Sequence, residues 1–249
     1  MHRFYCTLLS LNHQSPVIDD PDEVHHLSRV LRLKAGDEVE LIDGQGGVAR
    51  VTLSEVSKSK VVSRLQAFER VPALSRGRIV LACALPKRVK FDDIIEKCTE
   101  LGVDEIVPLI TERTEVSPSI DAMSRMAVRF RKVVLSAAKQ SKRLWFPKIH
   151  PVMPFKSAVD LFSSSSNGLF IPWLEGARKP LRETELSTLA FGKGNVVFFI
   201  GPEGDFSPQE AAYAIRRGAT PVSLGETVLR VDTAAVAVIA YAHIGISLT

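Results

Sequence analysis

The sequence predicts an α/β protein in two parts, a small β-rich segment followed by a mostly parallel sheet with helices on both faces. Three observations carry this expectation. Residues 1–70 hold four stretches with strand-like alternation or β-branched content and one helical stretch. From Gly77 onward, apolar runs of strand length alternate with helical patterns, which is the rhythm of a parallel sheet. Charge divides at the same border: residues 1–72 hold 9 Lys/Arg against 10 Asp/Glu, and the remainder holds 23 against 18. The expected domains are 1–72 and 73–249, with Val71–Gly77 as linker.

In the first part, the strands are expected at Arg3–Leu9, Glu38–Asp43, Val48–Ser54 and Val61–Glu69. Gly44-Gln-Gly-Gly47 reads as a hairpin turn between two of them. A helix over Pro21–Leu31 would place Val24, Leu27, Val30 and Leu31 on one face. Strands at this density point to a small barrel.

In the second part, Ile79–Leu85 is a continuous apolar strand that Pro86-Lys87 ends. Phe91, Ile94, Ile95, Cys98 and Leu101 fall at helical spacing, and Gly102 stands at the C-cap. Val103–Leu109 returns as a strand. A longer helix near Met123–Ser141 follows, then Lys148–Val152, a short helix near Phe155–Phe162 and a Ser163–Asn167 loop. Leu169–Ile171, Val196–Ile200 and Pro221–Leu224 complete the strands. No internal repeat is visible.

Composition narrows the function. With 45% hydrophobic and 24% charged residues the chain can build a sizeable core, which excludes global disorder. Cys6, Cys83 and Cys98 are odd in number, far apart and in apolar surroundings, so they read as reduced core residues of a cytoplasmic protein. The N-terminus shows no hydrophobic signal region. The most apolar run, Ala234–Leu248, is too short to span a bilayer, contains His243 and reads as a buried helix; no membrane association is expected.

The stretch from Val196 to Ala235 concentrates the chemistry. An apolar strand runs into Gly201-Pro-Glu-Gly-Asp-Phe-Ser-Pro-Gln-Glu210. There Ser207 can cap a helix, Pro208 suits its first position and Glu210 completes a capping box. About twenty residues on, Pro221–Leu224 leads through a Gly225 turn to a helix from about Thr233. Strands that end in glycine turns and open helices build ligand sites at the carboxyl edge of α/β sheets. Gly201–Asp205 is neither a P-loop nor a Gly-x-Gly-x-x-Gly fingerprint. No Gly-x-Ser-x-Gly elbow exists, and the six histidines lack ligand spacing, so no metal is expected. What remains is a pocket of glycine turns and apolar side chains with Glu203, Asp205, Glu226, Arg230 and Asp232, suited to a nucleoside-like ligand.

A net charge of +4 and a pI near 9.0 permit a polyanionic partner. Residues 122–159 sharpen this, with nine basic side chains and no acidic one. A solvated helix face would mix signs, so this stretch reads as a phosphate-facing surface.

The separated blocks together resemble the RsmE family of SPOUT-class methyltransferases, which modify N3 of a uridine in small-subunit (16S) ribosomal RNA. The blocks are Gly201-Pro-Glu-Gly204 with Phe206-Ser207 and Glu210, and Leu224-Gly225 with Leu229-Arg230-x-x-Thr233-Ala234. Arg3-Phe4, His26 with Val30-Leu31-Arg32 and Gly36-Asp37, and Lys97-x-Thr99-Glu100-Leu101-Gly102-Val103 add to them. So do Pro108 with Thr111-x-Arg113, and Gln140-Ser141-x-Arg143 with Pro147. Two positions depart: the family usually has glycine where Asp205 stands and Glu where Asp232 stands.

The resemblance implies a PUA-like barrel followed by a SPOUT domain with a C-terminal trefoil knot. It implies a homodimer with a shared active site, acting on 16S ribosomal RNA or the assembled small subunit. S-adenosylmethionine would bind against Leu174, Ile200, Gly201, Gly204, Leu224, Gly225, Val228, Leu229, Arg230 and Thr233, leaving as S-adenosylhomocysteine. Arg230 would stabilise charge developing on the uracil oxygens, with Glu203 as general base or base-orienting group. Arg3, Arg32, Lys87, Arg113, Lys139, Gln140 and Arg143 are the expected RNA contacts, and Trp173 is available for stacking. The alternatives are an RNA-binding or ribosome-assembly protein of the same fold without turnover, or a SPOUT methyltransferase with another RNA target.

Overall fold

The computed structural model describes residues 1–7, 14–116, 118–164, 166–184, 186 and 194–247. The chain forms two compact units. One comprises Met1–Leu74 with Ala138–Phe146, and the other Ser75–Ala137 with Pro147–Thr249. The return of residues 138–146 to the first unit is not visible in the sequence.

The first unit is a five-stranded sheet of β1 (Arg3–Tyr5), β2 (Val17–Ile18), β3 (Glu38–Ile42), β4 (Gly47–Val56) and β5 (Val61–Arg70), in the order β1-β3-β4-β5-β2. The expected strand over Arg3–Leu9 is short, and its Leu8-Leu9 end lies outside the described residues. Along β4 the inward residues Ala49, Val51 and Leu53 alternate with Arg50 and Thr52, so one face enters a core with Phe4, Val39 and Leu41. Helix α1 (Pro21–His25) starts where the Asp20 carboxylate accepts the N–H groups of Asp22 and Glu23. It then widens over His26–Val30, Leu31 N–H reaching back to His26 O.

At the hairpin, Asp43 accepts the N–H groups of Gln45 and Gly47. Gly46 has φ +84°, and a Cβ there would stand 2.3 Å from Val71 O, so only glycine fits. The returning segment docks on this turn through Phe146 N–H to Gly44 O and Gly46 N–H to Leu144 O. The buried Glu23 accepts Tyr5 N–H and the Lys139 ammonium.

The second unit starts with β6 (Ile79–Ala84), α2 (Phe91–Glu100), β7 (Glu105–Ile110) and α3 (Ile120–Gln140), the end of which belongs to the first unit. Short β8 (Lys148–Ile149) and β9 (Met153–Pro154), α4 (Phe155–Phe162), β10 (Gly168–Pro172) and β11 (Lys179–Pro180) follow. The unit ends with β12 (Val196–Ile200), α5 (Pro208–Arg216), β13 (Ala219–Ser223) and α6 (Val231–Ser247). The sheet order is β11-β13-β10-β12-β6-β7-β8, with β9 also on β7, and every pair is parallel. The central strands β6 and β12 are buried at every residue, which is why they read as continuous apolar runs without alternation.

Two expectations about the last helix need correction. It begins at Val231 rather than Thr233, and it is buried on one face only. Ala235, Val238, Ile239 and Ala242 pack inward, whereas His243 is exposed and Ile244 is 57% exposed. No helix among the described residues is long and apolar enough to cross a membrane. Cys6, Cys83 and Cys98 are buried, and none of them forms a disulfide among the described residues.

At the edge of the sheet, buried Glu105 meets Arg78 Nη1 at 2.5 Å and His150 Nε2 at 2.6 Å. Burial alone would raise its pKa, but the bonds and charges of His150 and Arg78 outweigh it and hold the carboxyl at about 2. A carboxyl held below its ordinary 4.5 contributes stability that is complete above that value and lost as pH falls through about 2. Glu105→Gln is therefore expected to cost about 2 kcal/mol at pH 7. Thermal melts of both proteins from pH 7 to 2 should show that difference shrink below about pH 4.5. A constant gap would refute the assignment.

Candidate functional site

Parallel strands deliver their following loops to one edge of the sheet, and here four of those loops converge. They follow β6 (residues 85–90), β10 (173–178), β12 (201–207) and β13 (224–230), and they enclose a cavity of about 400 Å³. That volume falls within the roughly 300–1,000 Å³ of small-ligand clefts. Of the residues expected to bind the donor, Leu174, Ile200, Gly201, Leu224, Gly225, Val228, Leu229 and Arg230 line it, while Gly204 and Thr233 are not among its lining residues.

The turn after β12 is built from carboxylates that accept backbone N–H groups. Glu203 Oε1 accepts the N–H groups of Lys87 and Arg88 at 2.9 and 3.0 Å. Burial raises the Glu203 pKa, but these bonds and the Arg88 charge prevail and hold it below the usual carboxylate range. Asp205 lies at φ +59°, the left-handed region that glycine adopts freely and Asp tolerates best after Asn. This is the physical reason a glycine is at home there. Its Oδ1 accepts the N–H of Phe206 and its Oδ2 that of Leu174. Ser207 and Glu210 form the expected capping box at the start of α5. The second oxygen of Glu210, which sequence spacing could not reveal, accepts Glu112 N–H at 2.9 Å from the loop after β7.

The cavity has an apolar wall that includes Pro172, Val222, Leu224 and Ala234, and six charged residues in equal signs: Glu203, Asp205 and Glu226 against Arg88, Arg178 and Arg230. Trp173 also lines it and has its indole Nε1–H buried without a hydrogen-bond partner among the described residues. Arg178 donates to the carbonyls of Trp173 and Leu174. Arg88 and Arg178 were missed in the sequence. Arg88 directly follows the Pro86-Lys87 strand break at a carboxyl edge, which is a usable signal; Arg178 sits in an irregular loop and gives none. Asp232, in the first turn of α6, ends in a buried Oδ1 without a hydrogen-bond partner among the described residues.

The expected RNA contacts divide between the units. Lys87 lies in the loop after β6, paired with Glu115, and Arg113 lies in the loop after β7, its Nη1 donating to Gly204 O at 2.7 Å. In the first unit, Arg3 is paired with Glu40 at 2.8 Å and Lys139 with buried Glu23. Arg32 is exposed at φ +55°, Gln140 is exposed at the end of α3, and Arg143 is half-buried. The basic residues Arg125, Arg129, Arg131 and Lys132 are exposed along α3.

A model of an RNA methyltransferase domain matches residues 73–243, and one of an RNA methyltransferase PUA domain matches residues 18–66. The ribosomal RNA small subunit methyltransferase E of Synechocystis sp. is 33% identical over 85% of this chain and 67% of its own length. That of Mycobacterium tuberculosis is 30% identical over 87% and 81%. Among solved structures, the ribosomal RNA small subunit methyltransferase E of Neisseria gonorrhoeae bound to S-adenosyl methionine has a TM-score of 0.85 at 29% identity, covering 97% of this chain and 96% of that one. A methyltransferase of Legionella pneumophila with bound cofactor SAM has a TM-score of 0.86 at 26% identity, with the same coverage. A PUA domain ahead of a parallel sheet whose carboxyl-edge loops enclose a cleft is the architecture of these proteins, and the chain belongs to the RsmE family of SPOUT-class RNA methyltransferases.

Proposed function

We propose that this chain transfers the methyl group of S-adenosylmethionine to N3 of a uridine in 16S ribosomal RNA. The observation that carries the reading is the cleft at the carboxyl edge of β10, β12 and β13, with Arg230 at its margin. Its residues fit the donor. Apolar side chains offer faces to a nucleoside, and three carboxylates and three guanidiniums match a molecule that carries both a cationic sulfonium and an amino-acid zwitterion. The bound donor would supply an electrophilic methyl group, and positioning it in line with N3 is the protein's main task.

Arg230 is exposed, lines the cleft and has no ion pair or side-chain hydrogen bond among the described residues. An unengaged guanidinium is available to the uracil carbonyl oxygens as N3 loses its proton and negative charge spreads over the ring. For Glu203 the hydrogen bonds favour a loop tether over the expected general base or base-orienting group. With its pKa depressed and Oε1 accepting two loop N–H groups, it is a weak proton acceptor and a strong tether for the loop after β6. Lys87, Arg113, Arg32, Gln140, Arg143 and the exposed basic residues of α3 would meet RNA phosphate, as the stretch without acidic residues between 122 and 159 supports. Arg3 and Lys139 would act there mainly through the folded unit, since each is held by a carboxylate.

The exposed apolar residues Val228 at the cleft and Ile244 on α6 support a homodimer. A ribosomal RNA substrate supports a cytoplasmic location. A C-terminal trefoil knot is part of the same reading, supported by the strand order β13-β10-β12-β6-β7.

Two outcomes test these roles. Arg230→Ala should leave the melting temperature near wild type while lowering methyl transfer from labelled S-adenosylmethionine to 16S RNA or small subunits by about 10²–10³-fold. Near-normal turnover would sink the assignment. Glu203→Gln keeps a carbonyl oxygen for both loop N–H groups and should stay within about threefold of wild type, whereas Glu203→Ala should fall about tenfold. A Gln variant as inactive as Ala, with a pH–rate limb lost, would instead make Glu203 the base.

A further inference from the structure

We infer that Asp205 and Arg178 form a clamp that fixes the cleft wall carrying Leu174, and that through this clamp Asp205 sets the affinity for the methyl donor. The inference rests on the methyl-donor reading of the cleft.

Leu174 follows the end of β10 and lies in no strand or helix, so its backbone groups have no ladder to join. Side chains supply what is missing, from both directions. Asp205 Oδ2 accepts the Leu174 N–H at 2.9 Å, and Arg178 Nη1 donates to Trp173 O at 2.9 Å and to Leu174 O. The same loop makes one long contact with the sheet, Trp173 N–H to Val222 O at 3.4 Å. Leu174 is thus held by two charged side chains while its own side chain stays 51% exposed at the cleft. An irregular loop would gain by turning such a leucine inward; pinning it outward presents an apolar surface for a ligand to cover.

Asp205 is itself fixed in orientation. Its backbone at φ +59° and the bond from Phe206 N–H to Oδ1 at 2.8 Å aim Oδ2 across the cleft at the neighbouring loop. With each oxygen accepting an N–H group, the carboxylate is engaged as an acceptor and is a positioning residue. A glycine here would relieve the backbone and release Leu174 together.

The test compares Asp205→Gly, which fits the turn but removes the acceptor, with Asp205→Asn, which tolerates the left-handed backbone and keeps one oxygen for Leu174. Titration calorimetry on the full chain should show Asp205→Gly binding S-adenosylmethionine and S-adenosylhomocysteine each about tenfold more weakly, and Asp205→Asn within about threefold of wild type. The KM for the donor should rise with kcat nearly unchanged, and amide hydrogen exchange over 173–178 should speed in Asp205→Gly alone. Unchanged affinity or unchanged exchange in Asp205→Gly overturns the clamp, as does weakening of the cationic donor only, which would mean a direct charge effect. Wild-type protein that binds neither compound overturns the methyl-donor reading; faster exchange in Asp205→Gly would even then support the clamp itself.

Discussion

Loops at the edge of a parallel sheet have backbone N–H groups with no strand to receive them, and a cleft built from such loops keeps its shape only if something else accepts those bonds. In this protein the acceptors are three carboxylates within one short stretch after β12. Glu203 takes the N–H groups of the loop after β6, Asp205 that of the loop after β10, and Glu210 that of the loop after β7. Charged acceptors make stronger bonds than neutral ones, so a segment with little regular structure can organise three neighbours. The stretch Gly201–Glu210 is therefore the junction on which the cleft's geometry depends.

This arrangement explains a division of labour among the cleft's charges. The acidic residues nearest the turn are occupied with backbone and act as fasteners, and for Glu203 this lowers its value as a proton acceptor. The cations divide differently: Arg178 is spent on loop carbonyls, while Arg88 and Arg230 have no ion pair or side-chain hydrogen bond among the described residues and remain available to ligand or substrate. Chemistry that generates negative charge on a substrate base is served by this distribution, because free guanidiniums stabilise an anion and tethered carboxylates do not compete for them.

Much of the fold was legible because burial imposes simple patterns. β6 and β12 are buried throughout and read as unbroken apolar runs, and the capping box at Ser207–Glu210 is a spacing rule that local geometry obeys. The cleft wall was legible in part, since glycine turns after strands locate a carboxyl edge. What escaped reading depends on residues distant in sequence. The return of 138–146 to the first unit rests on Glu23 and Lys139, which are 116 residues apart. Glu210 showed its capping role by spacing but hid its bond to Glu112, 98 residues away. The last helix was misjudged because composition counts apolar residues without saying which face they occupy.

Asp205 and Asp232 have opposite physical characters. Asp205 sits in a left-handed conformation that costs little for Asp, and both its oxygens are satisfied, one of them tying two loops together. Asp232 has its Oδ1 buried without a hydrogen-bond partner among the described residues, the costlier state for a polar atom. The segment Gly201–Glu210 accepts N–H groups from the loops after β6, β7 and β10, so control of the cleft's shape is concentrated in these ten residues.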